Sequence, residues 1–230
     1  RDSLILLSLA AAFLSLLAGR YGLSPADTLD ALLHPEAKTP ASSIVWNVRL
    51  PRILLAFIAG AGLAASGAAF QALFANPLAA PDTLGVATGA SFGAVLAILL
   101  GLGAFAIQGL SVLSGLAAIA IVMLVARGRN GESGSILMIV LAGMVVGALF
   151  TAFVSIVKFA ADPQDVLPSI TFWLMGSLTG ASMRTILPGL PLLILGGAIL
   201  MSLRWRLNAA SLPKDEAESL GINVVLMRGT

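Results

Sequence analysis

The chain has 230 residues, of which 58% are hydrophobic and 10% are charged, and its formal net charge is +2 at pH 7. Soluble domains carry about 25% charged residues, so this composition excludes that class and predicts a polytopic membrane protein. The small net charge gives no indication of nucleic-acid binding. Because no residue is a cysteine, disulfides, thiolate metal sites and cysteine catalysis are excluded.

Six apolar stretches predict membrane spans, and therefore an all-α bundle. The first also fits a signal peptide, because a basic residue precedes a short apolar core, but the polar loop after it favours a span. The apolar block at 84–126 is too long for one crossing at about 1.5 Å per residue, so we expect it to turn back near 107–110. The predicted spans are 4–19, 53–74, 84–106, 110–126, 136–157 and 186–203.

Two arginines flank a proline in RLPR, at the mouth of the second span. A charge close to a bilayer is costly, which indicates a purpose for Arg49 and Arg52. We expect the compact basic loop at 127–133 to be cytoplasmic, which makes these arginines face outward. They could contact lipid headgroups by snorkelling or take part in recognition. Pro51 suits the first turn of a helix.

Small residues recur in the second, third and fifth spans. Lipid gives no hydrophobic drive between helices, so close backbone approach at small residues predicts tight packing, with a wide substrate path as the alternative. The second span has scarcely a bulky side chain at 59–69, and we expect it to be central with neighbours on several sides. The packing or path positions are Gly60, Ser66, Gly67, Gln71, Gly85, Gly89, Gly93, Gly143 and Gly147.

The segment FANPLAAPD separates the second span from the third. Asn76 can cap local backbone groups, whereas Pro77 and Pro81 lack a backbone donor and end the helix. Gly85 then opens the next span. We expect a stiff cytoplasmic hairpin, either purely structural or acting as a gate or a contact for an ATPase.

The predicted spans contain none of the 11 acidic residues, and the single histidine, His34, lies in a loop. Ion-coupled carriers need an ionisable group at membrane depth, so no relay is visible. The chain also lacks G-x-x-x-x-G-K-[ST] and cannot hydrolyse ATP itself. No metal cluster or nucleophile–base pair appears, and we expect no cofactor. Energy for uphill transport must therefore come from elsewhere.

The ordered motifs from residue 49 to 94 resemble the FecCD-type permeases, the membrane subunits of ABC importers for iron–siderophores, haem and vitamin B12. They comprise RLPR, a small-residue span with SG before a glutamine, NPLA, a further proline and LGVATGA. FWLMGS at 172–177 and LPKDEAESLG at 212–221 are also similar to family segments. In the second of these the family commonly has Gly-Glu where Pro213 and Lys214 stand here. Family members have about ten spans, so the resemblance implies that residues 1–230 form one permease domain that is incomplete at its C-terminus.

The resemblance implies a non-enzymatic transport subunit of the bacterial inner membrane. Its partners would be ABC ATPase subunits, a periplasmic or lipid-anchored solute-binding protein, and a second permease subunit in a homodimer or pseudo-dimer. Arg49 and Arg52 would pair with carboxylates of the binding protein. A short polar helix in a cytoplasmic loop at 204–223 would dock in the ATPase and transmit its closure, or remain a solvated loop. Its residues are Pro213, Lys214, Asp215, Glu216, Ala217, Glu218, Ser219, Leu220 and Gly221.

The segment at 168–184 is too short and glycine-broken for a crossing. We expect a short outer helix pair beside the path, with Trp173, Gly176 and Ser177 as a candidate gate, or plain loop packing. Two other function classes stay open. One is an ion-coupled secondary transporter whose acid lies outside this chain, and the other is a membrane scaffold or enzyme without a transport role.

Overall fold

The computed structural model describes residues 2–19, 21–37, 39–74, 76, 79–126 and 136–210. Helices joined by turns make up the ordered elements of this part of the chain, which confirms the predicted all-α class. The chain forms two compact units. The first comprises Arg1–Ala61 with Ser177–Leu190, and the second comprises Gly62–Gly176 with Pro191–Thr230.

The first unit begins with an apolar helix and continues through two short capped helices. Ser24 caps α2 (Pro25–Leu33), because its Oγ accepts a hydrogen bond from the Asp27 N–H at 3.1 Å and the Asp27 carboxylate accepts one from the Ser24 N–H at 3.2 Å. Thr39 Oγ1 likewise accepts from the Ser42 N–H at 3.1 Å. These caps satisfy donors that a first helical turn leaves unpaired. The helices are α1 (Asp2–Leu17), α2 (Pro25–Leu33) and α3 (Pro40–Ile44).

A π-helical turn, Val45–Arg49, joins α3 to α4 (Leu50–Phe74), so that Pro40–Phe74 is one helical run of 35 residues. Pro51 is the second residue of α4 and so lies in its first turn, as expected. The Leu50 N–H bonds to the Val45 carbonyl, one residue further back than in an α-helix. The wider turn lies just upstream of Pro51, where a proline ring would clash with the preceding turn of a regular α-helix.

In the second unit, one turn lies at a different position from the predicted one. The apolar block reverses at Leu100–Gly103, between α5 (Val86–Leu99) and α6 (Ala104–Ala126), and not at 107–110. Gly101 adopts φ 66°, a left-handed conformation that glycine reaches without steric cost, and the Leu102 N–H donates back to the Ala97 carbonyl at 2.9 Å. The helices are α5 (Val86–Leu99), α6 (Ala104–Ala126), α7 (Ile136–Ala160) and α8 (Val166–Met175), and the chain continues through α9 (Met183–Ile186) in the first unit to α10 (Leu190–Ala210).

Aromatic and branched side chains fill the space between α5, α7 and α8. The Phe92 ring centroid lies 5.8 Å from that of Phe150 and 5.5 Å from that of Phe153. Ile170 of α8 is fully buried and packs in one cluster with Val95 of α5. In the segment at 168–184, where we expect a short outer helix pair, α8 ends at Met175 and α9 begins at Met183, and their place beside the path stays a prediction.

Four helices of the described chain are long and apolar enough to cross a membrane, and they correspond to the second, fourth, fifth and sixth predicted spans. The first and third predicted spans correspond to shorter apolar helices, Leu6–Leu17 and Val86–Leu99. The composition and these lengths agree with a multi-pass membrane protein. The four long helices are Pro40–Phe74, Ala104–Ala126, Leu137–Ala160 and Leu190–Asn208.

Candidate functional site

Arg49 is buried, with 7% of its surface exposed, and its guanidinium group binds backbone carbonyls. It donates hydrogen bonds to Leu16 O, to Leu17 O at 3.3 Å and to Tyr21 O at 2.6 Å. The last turn of a helix leaves its carbonyls without intrahelical partners and carries the negative end of the helix dipole, which a cation stabilises. Arg49 therefore fastens the carboxyl end of α1 to the π-helical turn.

Gly19 provides the space that this contact needs. A Cβ atom added at Gly19 would lie 2.7 Å from Nη2 of Arg49, closer than real Cβ contacts allow. Gly19 was not among the residues predicted from the sequence. A glycine just after an apolar helix is a common helix stop, but nothing in the sequence shows which side chain fills the space beside it.

Arg52 has a different environment and is partly exposed. Its Nη2 donates to Thr179 O at 3.3 Å, and its Nε is buried without a hydrogen-bond partner in the described part of the chain. Ser177 holds Thr179 in place, since their hydroxyl oxygens are 2.7 Å apart and the Thr179 N–H donates to Ser177 Oγ at 3.1 Å. An unsatisfied buried donor is unfavourable, so the guanidinium group of Arg52 is less fully satisfied than that of Arg49 in the described part of the chain.

A half-open cavity of about 500 Å³ lies beside the two arginines in the first unit. Its walls are mainly apolar and include Ile53, Ala56 and Leu178. Arg49 and Arg52 are the charged side chains among the described residues that line it. An apolar cavity with a partly exposed cationic side chain in its wall suits an anionic group that carries apolar atoms.

Side-chain hydrogen bonds tie the π-helical turn to α2, and α3 to the residues that follow α2. Trp46 Nε1 donates to Ala31 O of α2 at 2.9 Å, and Ser42 Oγ donates to Pro35 O at 3.1 Å. Val45 is fully buried in the same region. His34 lies apart, exposed, with its Nδ1 atom 3.0 Å from Asp30 Oδ1.

The small residues of α5 lie directly against the backbone of α6. A Cβ atom added at Gly93 would overlap the Leu110 carbonyl oxygen, and one at Gly89 would lie 2.9 Å from the Ser114 carbonyl oxygen. Ser111 Oγ also donates to Ala90 O at 3.0 Å. Close backbone approach of this kind holds helices together in lipid.

The turn before α5 rests in a similar way on α7. Gly85 has φ 68°, and a Cβ atom added to it would lie 2.9 Å from the Gly147 nitrogen. A Cβ atom at Gly143 would overlap the Thr83 carbonyl oxygen of the 3₁₀ turn Pro81–Leu84. The 3₁₀ turn and Gly85 are therefore fixed to α7 by backbone contact.

At two small-residue positions of the second span the described residues leave open space, and the central place expected for this span stays a prediction. A Cβ atom added at Gly60 or Gly67 would meet nothing within 4 Å, and Gln71 is exposed. Ser66 Oγ donates to Leu63 O of its own helix at 3.0 Å. After α4, the Asn76 N–H donates to the Gln71 carbonyl at 3.1 Å, while Pro77 lies outside the described residues.

The remaining candidates are the gate and the coupling segment. Trp173, near the end of α8, is 41% exposed, and Gly176 after it has φ 73°. Residues 204–210 continue α10, so the predicted loop at 204–223 begins as helix, and residues 213–221 lie outside the described residues. Over the described part of the chain, no group of three or more His, Cys, Asp or Glu side chains could hold a metal ion.

Comparison with known proteins gives one consistent family. Over 230 residues the chain is 38% identical to the molybdate import system permease protein MolB of Haemophilus influenzae, covering 98% of this chain and 67% of MolB. Over 196 residues it is 37% identical to a Helicobacter pylori permease named for iron chelatin transport, covering 85% of this chain and 58% of that protein. The chain thus spans about two thirds or less of the length of these two relatives.

A solved structure described as an inward-facing ABC transporter of metal-chelate type has the same fold. Its TM-score to this chain is 0.83 at 38% sequence identity, and the match covers 99% of this chain and 69% of the other. Residues 6–230 match the FecCD transport family. The chain belongs to the FecCD transport family.

Proposed function

We propose that the chain acts in the membrane permease subunit of an ABC importer that takes up an iron–siderophore or a related bulky chelate such as haem or cobalamin. The observation that carries the proposal is the family match over residues 6–230, together with a metal-chelate ABC transporter of the same fold. The subunit lies in the bacterial inner membrane and pairs with a second permease subunit. Separate ATPase subunits supply the energy, because this chain has no phosphate-binding loop.

The arginine pair supports a role in docking a solute-binding protein at the outer mouth of the path. The cavity beside Arg49 and Arg52 has cationic donors and no acidic side chain among the described residues that line it. Complementary charges of this kind steer encounter and fix the orientation of the partner. Cargo selection then belongs mainly to the binding protein, and the small-residue helices supply the walls of the path.

The segment at 212–221 is proposed to couple the ATPase to the permease by transmitting its closure to the membrane helices. Pro213 suits a first helical turn, acidic residues follow it, and Gly221 suits a helix end. We expect the double variant Glu216→Arg, Leu220→Asp to lower ATP-driven uptake about tenfold or more while the ATPase still hydrolyses ATP, because closure would no longer reach the membrane helices. Uptake of a ferric chelate and phosphate release would be measured together in proteoliposomes.

Glu36→Arg is the matched control for this variant, because it reverses an exposed charge in the loop between α2 and α3. Its uptake should equal that of the unchanged protein. If the double variant keeps coupled uptake, residues 212–221 are not the segment that couples the ATPase to transport. If the unchanged complex imports molybdate and no ferric chelate, the proposed cargo is wrong.

The ABC importer and the ion-coupled alternative differ in the energy source that they predict for uptake. With internal ATP held constant, a protonophore should leave uptake unchanged, because the predicted spans carry no acidic group that could relay protons. Depletion of ATP at a constant membrane potential should abolish uptake. The reverse pattern would favour a secondary transporter, and absence of uptake with all partners present would favour a scaffold.

A further inference from the structure

The last two turns of α10 carry two arginines, one on either side of a tryptophan. Trp205 is 70% exposed, and Arg204 and Arg206 are exposed as well. Among the described residues, the ion pair is the one between Asp30 and His34, so no carboxylate neutralises either arginine there. α10 itself contains no acidic residue. The carboxyl end of this helix therefore presents two uncompensated positive charges beside an aromatic ring.

Trp205 lies on the side of α10 that faces away from its partly buried residues. An α-helix turns by about 100° per residue, so Trp205 is nearly opposite Leu203 and Leu207, which are partly buried. Met201, one turn earlier on the side of Trp205, is exposed too. Because α10 is long and apolar enough to cross a membrane, we expect lipid to contact this exposed side.

The two arginines come to the side of the membrane on which we expect the basic loop at 127–133. α7 leads away from that loop and α10 leads back, whereas α8 and α9 have 10 and 4 residues and are too short to cross. Tryptophan is enriched at the headgroup level of a bilayer, and the long side chain of arginine reaches towards the interface. This end of α10 therefore belongs at the cytoplasmic interface.

We propose that Arg204, Trp205 and Arg206 bind the headgroup of an anionic phospholipid of the inner leaflet. A guanidinium group can donate two parallel hydrogen bonds to one phosphate, and an indole ring is stable at the same depth. Phosphatidylglycerol carries a net negative charge, whereas the choline of phosphatidylcholine cancels the charge of its phosphate. Each arginine near an anionic surface favours binding by about fivefold, so the pair should prefer phosphatidylglycerol.

A bound lipid also fixes the depth at which α10 ends. Residues 212–221, the proposed coupling segment, follow this end within a few residues. A helix end that shifts along the membrane normal carries such a segment with it and changes its fit to the ATPase. This consequence for coupling rests on the proposed function, whereas the binding of lipid does not.

The first measurement follows lipid binding through the fluorescence of Trp205. The permease is reconstituted in mixtures of phosphatidylcholine and phosphatidylglycerol, one of which carries bromine atoms on its acyl chains close to the headgroup. Bromine quenches a nearby indole, and the contribution of Trp205 is the difference from the variant Trp205→Phe. Quenching at several mixing ratios gives a relative binding constant, which should favour phosphatidylglycerol about fivefold or more.

Substitutions of the arginines test whether they cause this preference. The double variant Arg204→Gln, Arg206→Gln should remove it, whereas Arg204→Lys, Arg206→Lys keeps both charges and should retain most of it. Arg184→Gln is the matched control, because Arg184 is an exposed arginine of α9, at the opposite end of the preceding segment. This control should leave the preference unchanged.

Three results would overturn the proposal. The unchanged protein could show no preference for phosphatidylglycerol, or the double glutamine variant could keep the preference, which would place the lipid on other residues. Trp205 could also be quenched by neither lipid. Another part of the protein would then cover this side of α10, and the arginines would not be open to lipid.

The second measurement is ATP-driven uptake of a ferric chelate by the assembled transporter in the same vesicles. Replacing phosphatidylglycerol by phosphatidylcholine should remove most of the uptake of the unchanged protein, and the double glutamine variant should be equally low in both lipids. Uptake that does not depend on phosphatidylglycerol would overturn the consequence for coupling. If the unchanged transporter imports no chelate in any mixture, the proposed function is wrong, while the quenching of Trp205 still decides whether the lipid site exists.

Discussion

Gly93→Ala is expected to prevent α5 and α6 from packing as they do now. The added Cβ atom would overlap the Leu110 carbonyl oxygen, and a backbone atom cannot swing aside as a side chain can. Overpacking of this kind costs about 1–3 kcal/mol, and more when the backbone must move. We expect a loss of at least this size in the free energy of unfolding, measured by circular dichroism as sodium dodecyl sulfate is titrated into maltoside micelles.

Gly67→Ala is the matched control, because it is also a helical glycine but a Cβ atom there meets nothing within 4 Å. Both variants gain the same helix propensity, about 1 kcal/mol for alanine over glycine. The control should therefore keep or raise the free energy of unfolding. Equal behaviour of the two variants would contradict the close contact between α5 and α6.

Gly85→Ala should be nearly as damaging, for two separable reasons. Its φ of 68° is unfavourable for alanine by roughly 1 kcal/mol. Its Cβ atom would also lie 2.9 Å from the Gly147 nitrogen and so push the turn away from α7. Thermal unfolding in detergent should show both penalties, and uptake should fall as well if the hairpin takes part in gating.

Gly101→Ala separates these two penalties. Gly101 has almost the same conformation, with φ 66°, but a Cβ atom there would meet nothing within 4 Å. This variant should show only the conformational penalty, so the difference between the two variants measures the contact with α7. A loss at Gly101 as large as that at Gly85 would show that backbone conformation alone accounts for the effect.

The helical class and four of the spans could be predicted from the sequence. A long apolar segment inside a membrane must satisfy its backbone hydrogen bonds within itself, and an α-helix does so. The reversal after α5 was misplaced because Gly101 and Gly103 lie inside an apolar block and do not interrupt its hydropathy. Small-residue spacing indicates where backbones can approach one another. It does not show which helix accepts each glycine, so the partners of Gly60 and Gly67 could not be predicted.

The arginine pair shows a second limit of sequence reasoning. Its position at the start of an apolar run is visible, but the groups that bind Arg49 are main-chain carbonyls, which every residue possesses. No side-chain pattern therefore distinguishes the buried arginine from the accessible one. The π-helical turn is equally hidden, because VWNVR has no composition that excludes regular α-helical winding.

The turn at Val45–Arg49 also sets the azimuth of the side chains that follow it. One additional residue wound into a helix shifts the phase of everything downstream by about 100°, since an α-helix has 3.6 residues per revolution. The wider turn absorbs that residue, so regular α-helical winding of the same residues would swing Arg52 around the axis, away from Thr179. Removal of one residue from this turn would instead restore regular winding and leave Arg52 on its present face, whereas removal of one residue between this turn and Arg52 would rotate it.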